Sequence, residues 1–213
     1  MGDDAGYLDP YVEATAKHGA VFEATLWASK QKQTDRFRVI AEMVNLRGRT
    51  ILDAGAGLGD LAAWLHEHTI EIKKFIAVEG VARLAHEIGE RDLPGVVALH
   101  DDFAGRDTFF HEMQRGHGPF DVIVFSGSLN TFEVERAREV LECAWLSLAD
   151  AGRGTLVFNF LSSANDRGPA EPPAKRFDPI ELLRWALDRT SIVRFRQDYF
   201  DGHDATIAMR VPE

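Results

Sequence analysis

The stretch Thr50-Ile51-Leu52-Asp53-Ala54-Gly55-Ala56-Gly57-Leu58-Gly59-Asp60-Leu61 is the part of this chain that decides its fold. Its apolar opening ends in the acid Asp53, an arrangement typical of a buried parallel strand whose carboxyl end is exposed. Glycines at alternate positions follow, and the apolar residues after them repeat at helical spacing. This strand–turn–helix unit predicts a ligand cradle, because glycine lets the backbone approach a ligand and the first amides of a helix are unpaired.

The spacing of the glycines bears on which ligand this cradle takes. Gly55, Gly57 and Gly59 are spaced G-x-G-x-G, whereas a dinucleotide fingerprint is spaced G-x-G-x-x-G. Asp60 stands where the third glycine of that fingerprint would fall, and it would repel a pyrophosphate although it suits the helix dipole. Asp53 adds a second negative charge. The two carboxylates favour a ligand that carries a cation and no phosphate, and S-adenosylmethionine, with its ammonium and sulfonium groups, meets that description.

The chain resembles the class I S-adenosylmethionine-dependent methyltransferases, whose first motif is hhD-x-G-x-G-x-G. The segment 75–80 is similar to the second strand of that family, which ends in an acid that holds the ribose hydroxyls. The segment 100–103 is similar to the third-strand motif, whose acid meets the adenine amino group, and 120–127 is similar to the fourth strand. Within the class, three stretches, two of which contain the motifs GLGDL and SGSLN, resemble one uncharacterised bacterial subgroup without an assigned substrate: 26–30, 57–61 and 126–130.

The resemblance also implies roles for individual residues. Glu79 ends the predicted second strand, where its carboxylate would accept both ribose hydroxyls. Asp102 is preferred to Asp101 as the acid near adenine, because Phe103 then follows as an apolar face for the base. We expect S-adenosylmethionine and its product S-adenosylhomocysteine to be held by Asp53, Gly55, Ala56, Gly57, Gly59, Asp60, Glu79, Gly80, Asp102, Phe103, Ser126 and Gly127. The last two, at the tip of the fourth strand, would lie beside the sulfonium.

Predicted strands and helices alternate from Thr50 to the end of the chain. The strands are proposed at Thr50–Ala54, Lys74–Glu79, Val96–His100, Asp121–Phe125, Gly154–Leu161, Ser191–Arg196 and Ala205–Val211. Such alternation builds a parallel sheet with helices on both faces. The connection around Gly202 is too short for a crossover helix, so the last two strands should pair antiparallel at the sheet edge. We therefore predict an α/β, three-layer, doubly wound fold with a seven-stranded, mostly parallel sheet and an antiparallel last strand, as the methyltransferase resemblance also implies.

Residues 1–48 precede this alternation and are predicted to form a helical extension of the methyltransferase domain at 49–213, within one compact domain. One helix begins at Asp9 and is broken by Gly19, and a second runs to Leu46. Two interpretations of this extension stay open. It either folds over the cofactor site as a lid or only covers the sheet.

The extension supplies the candidates for residues that would close over the site. As parts of a lid, Trp27, Lys30 and Arg36 would lie over the ligand, with a cation meeting a carboxylate of the cofactor or the substrate. The alternative is that Lys30 and Arg36 are solvated helix charges. The residues up to about Tyr7 are small and acidic, and we expect them to fray.

The sequence offers three candidates for catalytic work, namely Asn130, Asn159 and His203. The two asparagines lie near the carboxyl ends of strands that should flank the methyl group, although each side chain could instead tie down its own loop. Asn130 is not set in the N/D-P-P-Y/F/W motif of amino-methylating enzymes. A general base could come from Asp198, Tyr199, His203 or Asp204, and of these we retain His203.

The bulk properties bound the partners and the location. A formal net charge of −10 argues against a large phosphate-binding face, so we expect no nucleic-acid partner. The single cysteine, Cys143, fits a reducing cytosol, and no segment reads as a membrane span or a signal peptide. His66 and His68 lie on different faces of a helix, so we expect no metal. We expect a cytoplasmic monomer or homodimer without a membrane partner.

Together these features predict an S-adenosylmethionine-dependent methyltransferase that transfers the methyl group directly to a small-molecule acceptor. Two alternatives remain open. The first is a non-catalytic, methyltransferase-like protein that only binds S-adenosylmethionine. The second, less favoured, is a nicotinamide-dependent oxidoreductase, which the glycine spacing and Asp60 oppose.

Overall fold

The computed structural model describes residues 4–165 and 168–212, within which seven α-helices and seven β-strands are found. The helices are α1 (Asp9–His18), α2 (Lys30–Met43), α3 (Asp60–Glu67), α4 (Ala82–Glu90), α5 (Phe109–His117), α6 (Val134–Asp150) and α7 (Pro179–Leu187). The strands are β1 (Thr50–Ala54), β2 (Lys74–Glu79), β3 (Val96–His100), β4 (Val122–Ser126), β5 (Thr155–Leu161), β6 (Val193–Arg196) and β7 (Asp204–Arg210). Short 3-10 helices lie at Asp4–Tyr7, Phe22–Thr25 and Phe200–Gly202.

The seven strands form one sheet in the order β3-β2-β1-β4-β5-β7-β6. Strands β1 to β5 pair in parallel, and β7 runs antiparallel to both of its neighbours, β5 and β6. The predicted doubly wound sheet and its reversed last strand are therefore confirmed. Because β1 lies between β2 and β4, the strand order changes direction there, and such a switch point opens a crevice outside the carboxyl ends of the strands.

Helices cover both faces of the sheet and bury two separate cores. On one face α5, α6 and α7 pack against strand residues such as Ile123 and Phe158. On the other face α2, α3 and α4 pack against strand residues such as Ile51 and Val124. Every residue of β1 and β4 is buried, as expected for parallel strands that are covered on both sides. The strands below the crevice are thus held rigidly in place.

Some element boundaries differ from the predictions. Helix α2 ends at Met43 rather than Leu46, because Val44 takes an extended backbone (φ −130°, ψ 130°) and both Val44 and Leu46 are buried. Strand β6 begins at Val193, two residues later than predicted, where the Thr190 hydroxyl accepts a hydrogen bond from the Ile192 amide at 3.1 Å and holds the chain in a turn. In both places a local polar or burial constraint ends the regular pattern.

The N-terminal extension is packed onto the rest of the domain. Helix α2 contacts α3, β5 and β7, so it belongs to one of the two helical layers. Residues 1–3 lie outside the described residues. The expectation that the chain frays as far as Tyr7 is wrong, because the Tyr7 ring stacks on Phe132 with centroids 3.9 Å apart and its hydroxyl donates to Asp102.

Candidate functional site

A cavity of about 690 Å³ opens at the switch point, beyond the carboxyl ends of β1 and β4. The Ser128 hydroxyl donates to the Ala54 carbonyl at 2.6 Å and thereby ties the loop after β4 to the end of β1. The cavity is bordered by the loops after the parallel strands, by the N-terminal extension and by the proline-containing loop after β5. Its volume lies within the range of pockets that enclose small molecules and cofactors.

Two buried carboxylates, those of Asp53 and Glu79, border one end of the cavity. Asp53 is 2% exposed, and among the described residues its Oδ1 has no hydrogen-bond partner. Burial, together with the charges of Glu79 and Asp60, raises the pKa of Asp53 to about 7. Burial also raises the pKa of Glu79, although its carboxylate accepts hydrogen bonds from the amides of Val81 and Gly57 at 2.9 and 2.8 Å. This end of the cavity therefore favours a cation.

The amides of the glycine loop are bound within the protein. Those of Gly55 and Ala56 both donate to the Val78 carbonyl at 2.9 Å, and that of Gly57 donates to Glu79. Gly57 also borders the cavity in a left-handed conformation with φ +60°, which glycine adopts without strain. Because a carboxylate already occupies the Gly57 amide, the loop is poorly suited to a diphosphate, which the nearby acids would also repel.

Most of the predicted cofactor residues border the cavity together. They are Asp53, Gly55, Ala56, Gly57, Glu79, Gly80, Phe103, Ser126 and Gly127. Phe103 is 5% exposed, and its ring meets the Phe125 ring edge-on with centroids 5.6 Å apart, so it forms an apolar wall. These residues converge because the carboxyl ends of parallel strands meet at one edge of the sheet.

Gly59 and Asp60, by contrast, do not border the cavity, although both were predicted to hold the cofactor. The Asp60 carboxylate binds Gln33 Nε2 at 2.9 Å and Arg91 Nη2 at 2.9 Å. Asp60 lies at the start of α3, as the sequence predicts. Its side chain, however, contacts partners from α2 and from the end of α4. Asp60 thus joins the extension to α3, and its negative charge also contributes to the raised pKa of Asp53.

Asp102 does not border the cavity either, but its carboxylate is hydrogen-bonded to Tyr7, which does. The Tyr7 hydroxyl donates to Asp102, and the Ala104 amide donates to the same carboxylate at 2.8 Å. Burial raises the pKa of Tyr7, so this phenol stays protonated. Asp101 is instead held by the Arg106 guanidinium through two hydrogen bonds of 2.9 Å, which lower the pKa of Asp101. Of the two neighbouring acids, Asp102 is the one that contacts a cavity-bordering residue.

The other end of the cavity lies toward β5 and β7 and is bordered by Arg36 of α2. The Arg36 Nε donates to Asp204 Oδ2 at 2.6 Å, and both side chains are buried. The Arg36 guanidinium lies 4.3 Å from the centroid of the Trp27 ring, which also borders the cavity. Lys30 does not border it and lies over the Phe22 ring at 5.7 Å. Arg36 is therefore part of the cavity wall and not a solvated helix charge.

Replacing Arg36 with methionine should lower the free energy of unfolding by about 3–5 kcal/mol, because the change leaves Asp204 buried without its cationic partner. Arg38 on the same helix is a matched control, since it is exposed and pairs with Asp35 and Glu42. Arg38→Met should cost at most about 0.5 kcal/mol. Urea unfolding of the two variants beside the wild type measures both losses. Equal losses would show that the buried pair contributes no more to the free energy of unfolding than the exposed pairs do.

The two asparagine candidates take up structural positions. Asn130 borders the cavity, but its Oδ1 accepts a hydrogen bond from the Leu161 amide at 3.2 Å, which ties the loop after β4 to the end of β5. Asn159 is fully buried, does not border the cavity and donates from Nδ2 to Ser126 Oγ at 3.5 Å. The geometry thus matches the alternative interpretation, in which both side chains hold backbone and neighbouring groups in place.

Among the catalytic candidates, His203 borders the cavity and has a ring nitrogen hydrogen-bonded to a carboxylate. Its Nδ1 lies 2.6 Å from Asp204 Oδ1, and the residue borders the cavity. Two other candidates for the general base, Asp198 and Tyr199, do not border the cavity. Asp198 is exposed and paired with Arg196, and the Tyr199 hydroxyl is hydrogen-bonded inside the protein. The fold therefore separates His203 from Asp198 and Tyr199 and pairs it with Asp204.

Several residues that border the cavity were not predicted from the sequence. They are Tyr7, Tyr11, Lys32, Gln33, Ser128 and Arg176. A signal existed for Gln33, which lies one helical turn before Arg36 and Phe37 and so shares their face of α2. Ser128 stands within the SGSLN motif. For Tyr11 and Arg176 the sequence carried no local signal, because distant contacts alone bring them to this edge of the sheet.

Within the described ranges 4–165 and 168–212, no group of histidine, cysteine, aspartate and glutamate side chains could hold a metal ion. No helix within the same ranges has both the length and the apolar character needed to cross a membrane.

No protein-family model matches this chain, and no curated protein matches it significantly. Solved structures do match it. The 1,6-didemethyltoxoflavin-N1-methyltransferase of Burkholderia thailandensis, with 1,6-didemethyltoxoflavin and S-adenosylhomocysteine bound, is 16% identical and superposes with a TM-score of 0.67 over 100% of this chain and 92% of that chain. DhpI, in its complex with SAM and HEP, is 16% identical with a TM-score of 0.67 over 100% of both chains.

A third structure, the CcbJ methyltransferase from Streptomyces caelestis, is 15% identical with a TM-score of 0.63 over 100% of both chains. At identities this low the likeness establishes the fold. The chain therefore has the Rossmann-like fold of S-adenosylmethionine-dependent methyltransferases, with the seven-stranded sheet and reversed last strand described above.

Proposed function

We propose that this chain, which has the Rossmann-like fold of the S-adenosylmethionine-dependent methyltransferases, binds S-adenosylmethionine and transfers its methyl group directly to a small-molecule acceptor. The observation that carries the proposal is the buried carboxylate of Asp53, which borders the cavity at the glycine loop and whose Oδ1 has no partner in the described part of the chain. A bound cation stabilises such a carboxylate. S-adenosylmethionine brings two cationic groups and no phosphate.

The residues around Asp53 also suit the nucleoside part of that molecule. Glu79 holds the Gly57 amide at the edge of the cavity, and its remaining lone pairs can accept the ribose hydroxyls. Phe103 offers an apolar ring to the adenine, while Tyr7 and Leu8 of the extension border the cavity as well. We assign the cofactor to this set of residues.

The chain's own residues have to align the acceptor and exclude water, because S-adenosylmethionine supplies an already activated methyl group when it is bound. The extension does this at the tip of β4. A Cβ added to Gly127 would lie 2.8 Å from Trp27 and 3.3 Å from Arg36 Nη1, so these side chains pack directly on the β4 tip. We assign residues 1–48 the role of a cover that closes this side of the site.

A small-molecule acceptor suits the shape and charge of the site. The cavity is walled on the acceptor side by the extension, by His203 and by residues 169–174. A formal net charge of −10 disfavours a nucleic-acid acceptor. The Burkholderia thailandensis structure holds 1,6-didemethyltoxoflavin, a small molecule, together with S-adenosylhomocysteine.

Calorimetric titration with S-adenosylhomocysteine and with NAD, side by side, tests this function. We expect saturable binding of S-adenosylhomocysteine and no binding of NAD, because the loop amide of Gly57 is taken and two carboxylates border the site. Binding of NAD alone would overturn the proposal in favour of a nicotinamide oxidoreductase. Binding of S-adenosylhomocysteine without any methyl transfer from S-adenosylmethionine would identify the non-catalytic alternative.

A further inference from the structure

The cavity carries opposite charges at its two ends. Its buried carboxylates lie at the glycine loop, whereas Arg36, Arg176 and His203 border it on the side of β5 and β7. Lys32 and the exposed Glu171 border the cavity as well. Arg176 is held there by its Nη1, which donates to the Ser162 carbonyl at 2.8 Å. A molecule that enters beside the cofactor therefore meets cationic groups and one imidazole.

His203, Asp204 and Arg36 are joined by hydrogen bonds in that order. His203 Nδ1 lies 2.6 Å from Asp204 Oδ1, and Asp204 Oδ2 accepts from Arg36 Nε at 2.6 Å. Asp204 has no exposed surface, whereas the His203 side chain is 17% exposed. Because Nδ1 faces the buried carboxylate, Nε2 lies on the opposite edge of the ring, and we assign that edge to the cavity that His203 borders.

This arrangement sets the tautomer of the imidazole. A carboxylate that is paired with a guanidinium acts as a hydrogen-bond acceptor, so Nδ1 carries the proton of the bond to Asp204. In neutral His203 the unprotonated nitrogen is therefore Nε2, for which the residues 4–165 and 168–212 provide no hydrogen-bond partner. An unprotonated, unpaired imidazole nitrogen at a cavity wall is placed to accept a proton.

Building on the proposed function, we infer that His203 Nε2 is the general base of the transfer and that the acceptor is a phenol or an enol whose hydroxyl gives its proton to that nitrogen. Asp204 and Arg36 are positioning residues, which fix the ring and its tautomer.

The chemistry of the site selects a hydroxyl on an unsaturated carbon. A phenol ionises at about pH 10, which is within the working range of an imidazole base, whereas an alkyl alcohol is far less acidic. A neutral amine already has a free electron pair and needs no base to attack. An ammonium group would be repelled by Lys32 and Arg176, and the same cations stabilise the negative charge that develops on an acceptor oxygen.

The other titratable groups near His203 are poorly suited to the role. Burial raises the pKa of Tyr199, and its hydroxyl is hydrogen-bonded to Thr206 Oγ1 at 2.6 Å. Tyr11 borders the cavity, but burial raises its pKa to about 12, so it stays protonated at neutral pH. Glu171 borders the cavity too, on an exposed stretch of the loop after β5.

The proposed step balances in atoms and charge. The acceptor oxygen bonds to the methyl carbon as its proton moves to His203 Nε2, and the electron pair of the broken carbon–sulfur bond stays on sulfur. The products are a methyl ether, S-adenosylhomocysteine and a protonated His203. Asp204 stabilises the imidazolium until its proton is lost to water.

Nitrogen NMR of the imidazole rings tests the tautomer without any acceptor. The His203 signals are identified in the ¹⁵N-labelled protein as those missing from His203→Gln, and a pH series identifies its neutral form. We expect a protonated Nδ1 and an unprotonated Nε2, and we expect Asp204→Asn to weaken or reverse this preference because an amide can donate to Nδ1. A protonated Nε2 in the neutral wild-type ring would overturn the inference, whether or not Asp204→Asn folds.

Transfer of label from methyl-tritiated S-adenosylmethionine to a fixed panel of phenols, enols, primary amines, thiols and carboxylic acids tests the acceptor class. We expect label in hydroxyl compounds and a fall of about 10²- to 10⁴-fold in His203→Gln. His111→Gln is the matched control, because His111 also pairs with a carboxylate, that of Asp150, but does not border the cavity. Label only in other classes, no label at all, or an unchanged rate in His203→Gln would overturn the inference.

Binding separates this inference from the proposed function. His203→Gln should bind S-adenosylhomocysteine as the wild type does, because the residue lies at the acceptor end of the cavity. If the wild-type protein binds no S-adenosylhomocysteine, the proposed function itself fails. If it binds normally and label is transferred, but only to other classes of acceptor or at an unchanged rate in His203→Gln, only the assignment of His203 and of the hydroxyl acceptor fails. Normal binding without any transfer of label identifies the non-catalytic alternative, and both proposals then fail.

Discussion

Gly57→Val should lower the affinity for S-adenosylhomocysteine by at least about 100-fold, which corresponds to about 3 kcal/mol. Gly57 borders the cavity with φ +60°, and a Cβ at this position would lie 3.5 Å from Thr25 Cγ2 of the extension. The valine methyl groups would therefore occupy the space between the glycine loop and the extension, where we place the ligand. Calorimetric titration measures the loss.

Gly48→Val is the matched control for this substitution. Gly48 has φ +69°, and no heavy atom lies within 4 Å of a Cβ added there. Both variants force a β-branched residue into the left-handed region, which costs roughly 1–2 kcal/mol of stability. We expect similar losses of unfolding free energy in the two variants but a loss of binding in Gly57→Val alone. Loss of binding in both would show that strain, and not occupation of the cavity, is responsible.

Asp53→Ala should weaken S-adenosylhomocysteine binding by about 10- to 100-fold and should at the same time stabilise the free protein at neutral pH. Binding weakens because the cationic group of the ligand loses its carboxylate partner. Stability rises because the substitution removes a carboxyl group that is 2% exposed and unpartnered at Oδ1 among the described residues. The two effects have opposite signs, which a merely structural role of Asp53 would not produce.

The gain in stability should depend on pH in a defined window. The pKa of Asp53 in the folded protein, about 7, lies above its ordinary value of 3.8, so stability is lost as pH rises from about 4 to about 7. The difference between these values corresponds to about 4 kcal/mol. Urea unfolding at a series of pH values should therefore show no advantage of Asp53→Ala below about pH 4, a growing advantage up to about pH 7, and a constant one above it.

Asp60→Ala supplies the control for Asp53→Ala, because the two acids flank the same glycine loop. The Asp60 carboxylate is bound by Gln33 and Arg91 and does not border the cavity. We expect Asp60→Ala to lose about 1 kcal/mol of stability and to change ligand affinity little. The reverse pattern, with weak binding in Asp60→Ala and normal binding in Asp53→Ala, would show that the ligand sits on the other side of the loop.

Helix α2 of the N-terminal extension contributes both to a core of the domain and to the wall of the cavity. The sequence left open whether residues 1–48 cover the sheet or the cofactor site. Helix α2 packs Phe37, Ile40 and Met43 into one of the two cores, and its Arg36 borders the cavity. An amphipathic helix that crosses the carboxyl edge of a sheet can do both, because adjacent residues of a helix point to different sides.

Local sequence patterns were sufficient to predict the sheet, the glycine loop after β1 and most of the predicted cofactor residues that border the cavity. The mostly parallel sheet with helices on both faces follows from the alternation of apolar runs and helical patterns, and the reversal of β7 follows from a connection too short to cross over. Asp53, Gly57 and Glu79 could be found because Asp53 and Glu79 lie at the ends of strands and Gly57 lies in the loop after β1, and parallel strands bring such ends to one edge. These features depend on periodicity and on short loops, which a single sequence displays.

The direction of each side chain and the pairing of distant residues depended on the tertiary structure. Asp60 and Asp53 are seven positions apart in the sequence. Tertiary packing alone determines that Asp60 pairs with Arg91, whereas Asp53 is buried at the cavity. The bond between Arg36 and Asp204 spans 168 positions of the chain. No local pattern encodes such a contact, since it forms only when α2 and β7 pack together, and the orientation of His203 follows from it.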